Sequence, residues 1–244
     1  MANQTPKHGD GQALGRGAAP APGHAGHVPP ERHAWKCHAA VVLFLIITAA
    51  GAAADLISKD AVFRSFLDNP QLPARVEQIR DERIRMGESA SARDVIHDAR
   101  MLNFLQYRIM PGVKFTLSTN PGIVFGSQVI PRWAVNSATV LTILLVIVFF
   151  ATSDRGAWLT HVALACIVGG AIGNLYDRLF AVVNLPAGLE PIRCEVRDFI
   201  DLGDIGYVWV FNVADALLVV GVILIIMGWI IAARKKPAPA AKAA

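Results

Sequence analysis

Four long apolar runs constrain this chain more than any other feature of its sequence. They cover residues 37–56, 133–151, 157–176 and 210–232, to within a residue or two. Each is close to the roughly 20 residues that an α-helix needs to cross the hydrocarbon core of a bilayer. A span inside lipid has to satisfy its own backbone hydrogen bonds, which a single segment does only as a helix. The runs therefore predict a mainly α-helical membrane protein with four transmembrane helices.

The charged residues lie mostly outside these runs and indicate how the helices are oriented. They make up 17% of the 244 residues, whereas roughly a quarter is usual for a soluble domain. Basic residues flank the first and last runs, namely Lys7, Arg16, Arg32, Lys36, Arg234, Lys235, Lys236 and Lys242. Because Lys and Arg are enriched in cytoplasmic flanks, we expect both termini in the cytoplasm. The modest net charge of +4 fits membrane anchoring better than nucleic-acid binding.

The remaining segments form tails and loops. Residues 1–34 are rich in Gly, Ala, Pro and His and predict a disordered cytoplasmic tail, and residues 233–244 predict a basic one. Between them, residues 35–232 form the membrane domain. Its insertion 60–110 is charge-rich with helical spacing, which predicts one or two amphipathic helices. Residues 111–130 combine β-branched and aromatic residues with turn signals and predict a small β-sheet. Both segments join the first two spans, so both are expected to be extracytoplasmic.

Polar residues inside or beside the apolar runs are costly and need a reason. Under the predicted topology all of them map to the outer leaflet, which predicts one shared site: Asp55, Lys59, Asn120, Asn174, Asp177, Arg178, Asp198, Asn212 and Asp215. Some also have purely structural explanations. Asp55 and Lys59 could form an interfacial i,i+4 pair, and Asn212 could cap the last helix. Asp215 is a lone carboxylate on an apolar helix and is harder to explain in this way.

A second carboxylate close to Asp215 would give this site a chemistry. The segment EVRDFIDLGD offers Asp198, Asp201 and Asp204, and composition alone does not select among them. Two adjacent carboxylates cannot both ionise easily, so the pair holds a proton between them. The ionised member can then take a proton from water while the protonated member polarises a peptide carbonyl. That is aspartyl protease chemistry, and it requires no metal or other cofactor.

Other classes of function are open at this stage. A membrane scaffold or small transporter could use the same polar cluster, although its carboxylates gather at one surface instead of crossing the midplane. A serine intramembrane protease would need Ser and His in the helices, and His161 is alone near the cytoplasmic end of the third run. A presenilin-like protease would need GxGD in a helix, and the sequence has Leu202-Gly203-Asp204 in a loop.

Five motifs, in order along the chain, resemble those of lipoprotein signal peptidases (signal peptidase II). They are DLISK at 55–59, NPGIVFG at 120–126, GGAIGNLYDRL at 169–179, VRDFIDL at 196–202 and FNVADALLVVG at 211–221. The resemblance implies that Asp198 and Asp215 are the catalytic dyad and that Asp55 and Lys59 support it. It implies substrate-binding or site-shaping roles for Asn120, Gly122, Asn174, Asp177, Arg178, Asn212 and Ala214.

The resemblance also implies a substrate and a place in the cell. The family removes the signal peptide of a prolipoprotein just before a diacylglyceryl-modified cysteine. We therefore expect a multi-pass protease of the bacterial cytoplasmic membrane, with its active site at the extracytoplasmic face. We expect it to act as a monomer, with the prolipoprotein and membrane lipids as its partners and without a cofactor.

Three features depart from the family pattern. Arg197 replaces an apolar residue immediately before Asp198, where the added cation would lower the pKa of that carboxyl or face solvent as an ordinary loop charge. The loop 180–194 is longer than usual and is expected to enlarge or reshape a lid over the site. The insertion 60–110 is larger than the family core needs, and an interfacial helix or a partner surface are its two interpretations.

Overall fold

The computed structural model describes residues 28–122 and 130–234, and within them the chain is mainly helical with a small antiparallel sheet. The helices are α1 (His38–Leu67), α2 (Leu72–Arg85), α3 (Ala92–Met101), α4 (Arg132–Thr152), α5 (Trp158–Phe180) and α6 (Val213–Arg234). The strands are β1 (Gln106–Met110), β2 (Val113–Asn120), β3 (Val182–Val183), β4 (Ile192–Arg193), β5 (Val196–Asp201) and β6 (Val210–Phe211).

Four of these helices, α1, α4, α5 and α6, are long and apolar enough to cross a membrane, so the chain is a multi-pass membrane protein. Helix α5 is central, because 61% of its apolar window is buried against 28%, 6% and 11% in α1, α4 and α6. Helix α1 continues to Leu67, past the predicted end of the first span at residue 56. Its 30 residues would extend about 45 Å, more than the roughly 30 Å of hydrocarbon, so the last turns project beyond the bundle.

Glycines on α5 allow α1 and α6 to approach closely. A Cβ built on Gly170 would lie 2.5 Å from the carbonyl oxygen of Ala214 in α6. One built on Gly169 would lie 3.0 Å from the carbonyl oxygen of Thr48 in α1. Small residues at helix contacts are a common way for membrane helices to pack. The GGAIG segment therefore holds both partner helices against α5 with little room for a side chain.

The sheet lies at one end of the bundle, in the order β1-β2-β5-β6 with all neighbours antiparallel. We call this the sheet end; it holds the C-terminal part of α5 and the first turn of α6. The pairing of β2 with β5 aligns Ser118 with Asp198 and contains a register shift between Phe115 and Ser118. Strand β1 falls inside the insertion that the sequence predicts to be helical, and β5 falls in a segment for which the sequence predicts no strand.

The insertion contains two helices, α2 and α3, and they pack against the extended loop after α5. We call α2, α3 and residues 181–195 the insertion unit. Its apolar core is continuous with the end of α1 and with the sheet, and includes Phe63, Phe66, Val76, Ile79, Val95, Ala99, Leu117, Val183, Leu185, Ile192 and Phe199. Both lengthened segments of the chain thus form one structure over one face of the sheet.

The predicted tails lie largely outside the described residues, as do residues 123–129 of the NPGIVFG motif. Residues 30–36 form two short 3-10 turns that contact the connection between α4 and α5. Arg32 makes an ion pair of 2.7 Å with Asp154, and the backbone N–H of Ala34 donates to the carbonyl oxygen of Ser153. These contacts are at the end of the bundle opposite to the sheet.

Candidate active site

The structure brings the polar residues singled out in the sequence together at the sheet end. They come from five elements: Asp55 and Lys59 from α1, Asn174, Asp177 and Arg178 from α5, Asn212 and Asp215 from the start of α6, Asp198 from β5, and Asn120 from the end of β2. Most of them are buried, and hydrogen bonds connect them into one network. The shared site predicted from their distribution along the sequence is therefore a single cluster in space.

Lys59 is fully buried and joins three acceptors in the interior of this cluster. Its Nζ lies 2.6 Å from Oδ2 of Asp55 and 3.2 Å from Oδ2 of Asp177, and it donates to Oδ1 of Asn174 at 3.0 Å. These partners match the three protons of an ammonium group. A buried charge needs this degree of pairing, so the Asp55–Lys59 pair is part of the site's interior and not a surface pair.

Asp55 also ties α1 to the first turn of α6. Its Oδ1 accepts a hydrogen bond of 2.8 Å from the backbone N–H of Ala214, a residue with no exposed surface. A Cβ on Gly173 of α5 would collide with the same carboxylate, which explains the glycine at that position. Gly173 thus leaves space for the Asp55 carboxylate, and the backbone N–H of Ala214 donates a hydrogen bond to it.

Asn212 caps α6 and contacts both candidate catalytic carboxylates. Its Oδ1 accepts from the backbone N–H of Asp215 at 3.0 Å, and Oδ2 of Asp215 accepts from the backbone N–H of Asn212 at 3.2 Å, which is a capping box. Its Nδ2 donates to Oδ1 of Asp198 at 2.6 Å and to Oδ1 of Asn174 at 3.1 Å. Asn174 in turn donates to Oδ1 of Asp215 at 2.8 Å. Asn212 therefore caps α6, as one interpretation of the sequence predicted, and it also belongs to the candidate site.

The geometry selects among the three aspartates of EVRDFIDLGD. Asp198 is bonded to Asn212, next to Asp215. Oδ1 of Asp201 accepts from the backbone N–H of Gly203, and Asp204 pairs with Lys114 at 2.8 Å. Asp198 is thus the one of the three in contact with the polar network around Asp215.

Burial and a like charge set the protonation of Asp198, which lies in β5 outside the apolar helices. Burial is the larger cause and the charge of Asp215 the second, and together they raise the pKa of Asp198 to about 7. Hydrogen bonds from the side chains of Asn212 and Asn120 and the charge of Lys59 act in the opposite direction. A carboxyl in this range is partly protonated at neutral pH. Asp198 can therefore hold a proton next to the carboxyl of Asp215.

Asn120 approaches Asp198 from the end of β2 through its side-chain amide. Its Oδ1 accepts a hydrogen bond of 2.9 Å from the backbone N–H of Gly122. Gly122 has a φ of 89°, in the region that favours glycine. Both predicted residues of this motif thus belong to a turn that directs the Asn120 amide toward the carboxylates.

A cleft of about 620 Å³ leads from Asp215 along the bundle between α4, α5 and α6. Asn174, Arg178 and Asp215 form its polar end, and the rest of its wall is mostly apolar or small: Ile130, Ala134, Val135, Ala138, Thr139, Thr142, Ala171 and Leu218. Arg178 is half-buried, and no described residue hydrogen-bonds its Nε. The cleft can take an apolar chain whose polar end reaches Asp215 and Arg178.

Arg197 replaces an apolar residue of the resembled motif, beside Asp198. Its side chain contacts neither the Asp198 carboxyl nor open solvent, the two environments expected from the sequence. Its side chain is 13% exposed, and its Nε and Nη2 donate to Oδ1 of Asp177 at 3.1 and 2.8 Å. Its backbone N–H donates to Oδ2 of the same residue at 2.9 Å. The guanidinium thus pairs with a buried carboxylate of α5. It does not face solvent, and it is not one of the principal causes of the pKa shift of Asp198.

Sequence reasoning missed two further polar contacts. Glu195 is buried and pairs with Arg93 of α3 and with Arg132 of α4, which links the insertion unit to the bundle. His161 is not alone, because its Nε2 lies 3.1 Å from Oγ of Ser153. That hydroxyl also donates to the carbonyl oxygen of Phe150 at 2.7 Å. The two arginine partners of Glu195 are far from it in the sequence, so these ion pairs have no local signature.

Comparisons with known proteins point to one family. The profile of the signal peptidase (SPase) II family matches residues 47–231. A lipoprotein signal peptidase of Rhodopirellula baltica is 32% identical over 190 residues, which cover 76% of this chain and 70% of the relative. One from Shouchella clausii is 34% identical over 118 residues, which cover 48% and 68%. A bacterial membrane enzyme solved by the in meso method at 2.3 Å has a similar fold, with a TM-score of 0.51 at 19% identity over 86% of this chain and 99% of that chain.

Proposed function

The chain belongs to the signal peptidase II family, and on this premise we propose that it is an aspartyl endopeptidase of the bacterial cytoplasmic membrane. It removes signal peptides from diacylglyceryl-modified prolipoproteins by cutting just before the lipidated cysteine. Relatives named lipoprotein signal peptidase support the reaction class. It acts as a monomer among membrane lipids and without a cofactor.

The observation that carries this proposal is the meeting of Asp198 and Asp215 around Asn212. Asn212 donates to Asp198, and Asn174 donates to Asp215, so both carboxyls are held in place by amide side chains. The burial of Asp198 favours a single shared proton on the pair near neutral pH. This is the protonation state that a dyad needs in order to activate water.

The chemical step follows from that state. The ionised carboxyl removes a proton from a water molecule, which attacks the carbonyl carbon of the scissile peptide. The protonated carboxyl donates to the carbonyl oxygen as the tetrahedral intermediate forms. When the C–N bond breaks, the carboxyl that took the proton from water gives it to the leaving amine. The hydroxyl formed from the carbonyl oxygen returns its proton to the other carboxyl as the new carboxyl group forms. Arg178, at the polar end of the cleft, binds a carbonyl group of the substrate backbone.

The position of the site suits a lipidated precursor. Both carboxyls lie at the sheet end of the bundle, which we place at the extracytoplasmic face, with both termini in the cytoplasm. The apolar cleft between α4, α5 and α6 leaves room for an apolar part of the substrate, its signal helix or acyl chains. The scissile bond then lies at the membrane interface, where water is available.

The test is cleavage of a purified diacylglyceryl-modified precursor, followed by gel shift. Asp198→Asn and Asp215→Asn each lower turnover by roughly 100-fold or more, while the protein still inserts. Asp201→Asn is the matched control, because Asp201 lies on the same strand, is equally buried and accepts from the Gly203 backbone.

Three outcomes would contradict the proposal. Substantial turnover by Asp198→Asn or Asp215→Asn excludes the dyad, and an equal loss in Asp201→Asn makes the loss at Asp198 unspecific. Cleavage of an unlipidated precursor at the same rate would indicate a broader intramembrane protease instead of a lipoprotein signal peptidase.

A further inference from the structure

We propose that Arg197 is a positioning residue that neutralises the buried Asp177 and thereby holds the network on which the catalytic pair rests. This inference depends on the aspartyl mechanism proposed above. Arg197 stands where the resembled motif has an apolar residue, so its role is a property of this chain. Because it contacts neither catalytic carboxyl, it acts through Asp177.

The first argument is the number of hydrogen bonds that Arg197 donates to Asp177. Asp177 has no exposed surface, and Arg197 supplies it with three donors: the backbone N–H, Nε and Nη2. The guanidinium also lies over the ring of Phe63 in α1, 5.9 Å from its centroid. One side chain therefore fastens β5 to both α5 and α1, immediately beside Asp198.

The second argument is a balance of charge. Two buried carboxylates, Asp55 and Asp177, face one buried ammonium, Lys59. With Lys59 alone this group would carry one uncompensated negative charge in the interior, which is strongly unfavourable. Arg197 brings the total to two anions and two cations. The other charged groups facing this cluster are Arg178 of α5 and the two carboxyls of the catalytic pair.

The third argument is a continuous path from Asp177 to the catalytic pair. Lys59 bridges Asp177 and Oδ1 of Asn174, and the amide of Asn174 donates to Asp215. Asn212 joins the same Asn174 oxygen to Asp198. Without Arg197, Lys59 would be drawn toward Asp177 and away from Asn174. The amides that hold the pair would then lose a fixed partner, and the added negative charge would make the pair bind its proton more tightly.

The experiment compares the pH profile of cleavage for Arg197→Met and for Arg108→Met. Arg108 is the matched control, because it is an arginine of the same sheet whose ion pair, with Asp204, is at the surface. For Arg197→Met we expect kcat at neutral pH to fall about 10-fold and the optimum to move about half a pH unit upward, because Asp177 then carries an uncompensated negative charge in the network that holds the pair. KM should change less than twofold, because Arg197 does not line the cleft.

Two more variants separate positioning from simple stability. Arg197→Lys keeps the charge and should restore the wild-type pH optimum with part of kcat. The double variant Asp177→Asn with Arg197→Met removes both charges and should be more active than Arg197→Met alone. If Arg197→Met fails to insert, the wild type becomes the reference: Arg197→Lys should then keep the wild-type pH optimum, and the double variant should insert and cleave the precursor.

The inference is overturned if Arg197→Met keeps the wild-type pH profile, or if the double variant is less active than Arg197→Met. It is also overturned if Arg197→Lys behaves as Arg197→Met. Failure of the proposed function is recognised separately, because Asp198→Asn would then still cleave the precursor. An inactive Asp198→Asn together with an Arg197→Met variant equal to Arg108→Met would refute this inference alone.

Discussion

At the scale of single residues, Asp198 is placed where its charged form is unfavourable. It is 3% exposed, and burial with the nearby Asp215 raises its pKa from the model-peptide value of 3.8 to about 7. A carboxyl that binds its proton more tightly in the folded than in the unfolded chain favours folding at low pH. This contribution is complete below the unfolded pKa and is lost as the pH rises toward the folded pKa near 7. At pH 8 the ionised Asp198 therefore destabilises the native protein.

The first prediction is that Asp198→Asn is more stable than the wild type in alkaline solution. We expect its Tm in detergent to exceed the wild-type Tm by about 2 °C or more at pH 8, and by less at pH 5. Thermal unfolding followed by tryptophan fluorescence measures both differences. Asp204→Asn is the control, and we expect it to lower the Tm at pH 8. A hydrogen bond from Lys114 lowers the pKa of Asp204, so the charge of this carboxylate favours folding at that pH. An Asp198→Asn variant that is less stable than the wild type at pH 8 would contradict the argument.

At the scale of elements, hydropathy was sufficient to predict the four apolar helices, and the small sheet was predicted correctly at β2 but not at β5, the strand that completes the site. Each helix carries its signal locally, in about 20 consecutive apolar residues. Strand β5 does not, because Arg197, Asp198 and Asp201 make it polar. Its pairing with β2 also contains a bulge, where Thr116 and Leu117 of β2 lie opposite Phe199 alone. A bulge breaks the alternation by which a strand is recognised.

The candidate site was predictable to a similar extent. Motifs supplied the members of the cluster, and the topology supplied their common end of the bundle. The contact between Arg197 and Asp177 was not predictable, because it joins residues of β5 and α5 whose side chains meet only after the sheet has formed. The buried pair of Glu195 and Arg93 was hidden for the same reason, since the two residues belong to separate segments of the insertion unit.

The insertion unit gives a prediction at this scale, because its core is continuous with the strand that carries Asp198. Ile79 of α2 is 7% exposed and belongs to that core, whereas Ile84 on the same helix is 59% exposed. We expect Ile79→Asp to lower the free energy of unfolding by roughly 3 kcal/mol and to reduce cleavage, since it buries an unpaired charge. Ile84→Asp should stay within about 0.5 kcal/mol of the wild type. Denaturant unfolding and the cleavage assay measure both effects, and equal behaviour of the two variants would show that the insertion unit does not support the sheet.

At the scale of the whole molecule, the polar cluster is at the sheet end, where Arg132 pairs with Glu195 and Arg178 faces the carboxylates of the site. Further basic residues flank the apolar helices at the other end. Arg32 and Lys36 precede α1, Arg155 lies between α4 and α5, and Arg234 ends α6. This asymmetry favours the topology with the sheet outside the cell. The same topology brings the water-dependent chemistry to the face where a translocated precursor emerges.

The native cysteines allow this topology to be tested without added tags. Cys194 lies at the sheet end beside β5, Cys37 at the start of α1, and Cys166 is buried in α5. A membrane-impermeant maleimide applied to spheroplasts should label Cys194 and leave Cys37 unlabelled, because only the sheet faces the reagent. After the membrane is permeabilised, Cys37 should be labelled as well. Cys37→Ala and Cys194→Ala variants assign each signal. Labelling of Cys37 in spheroplasts with protection of Cys194 would reverse the topology and, with it, the face at which the carboxylates meet their substrate.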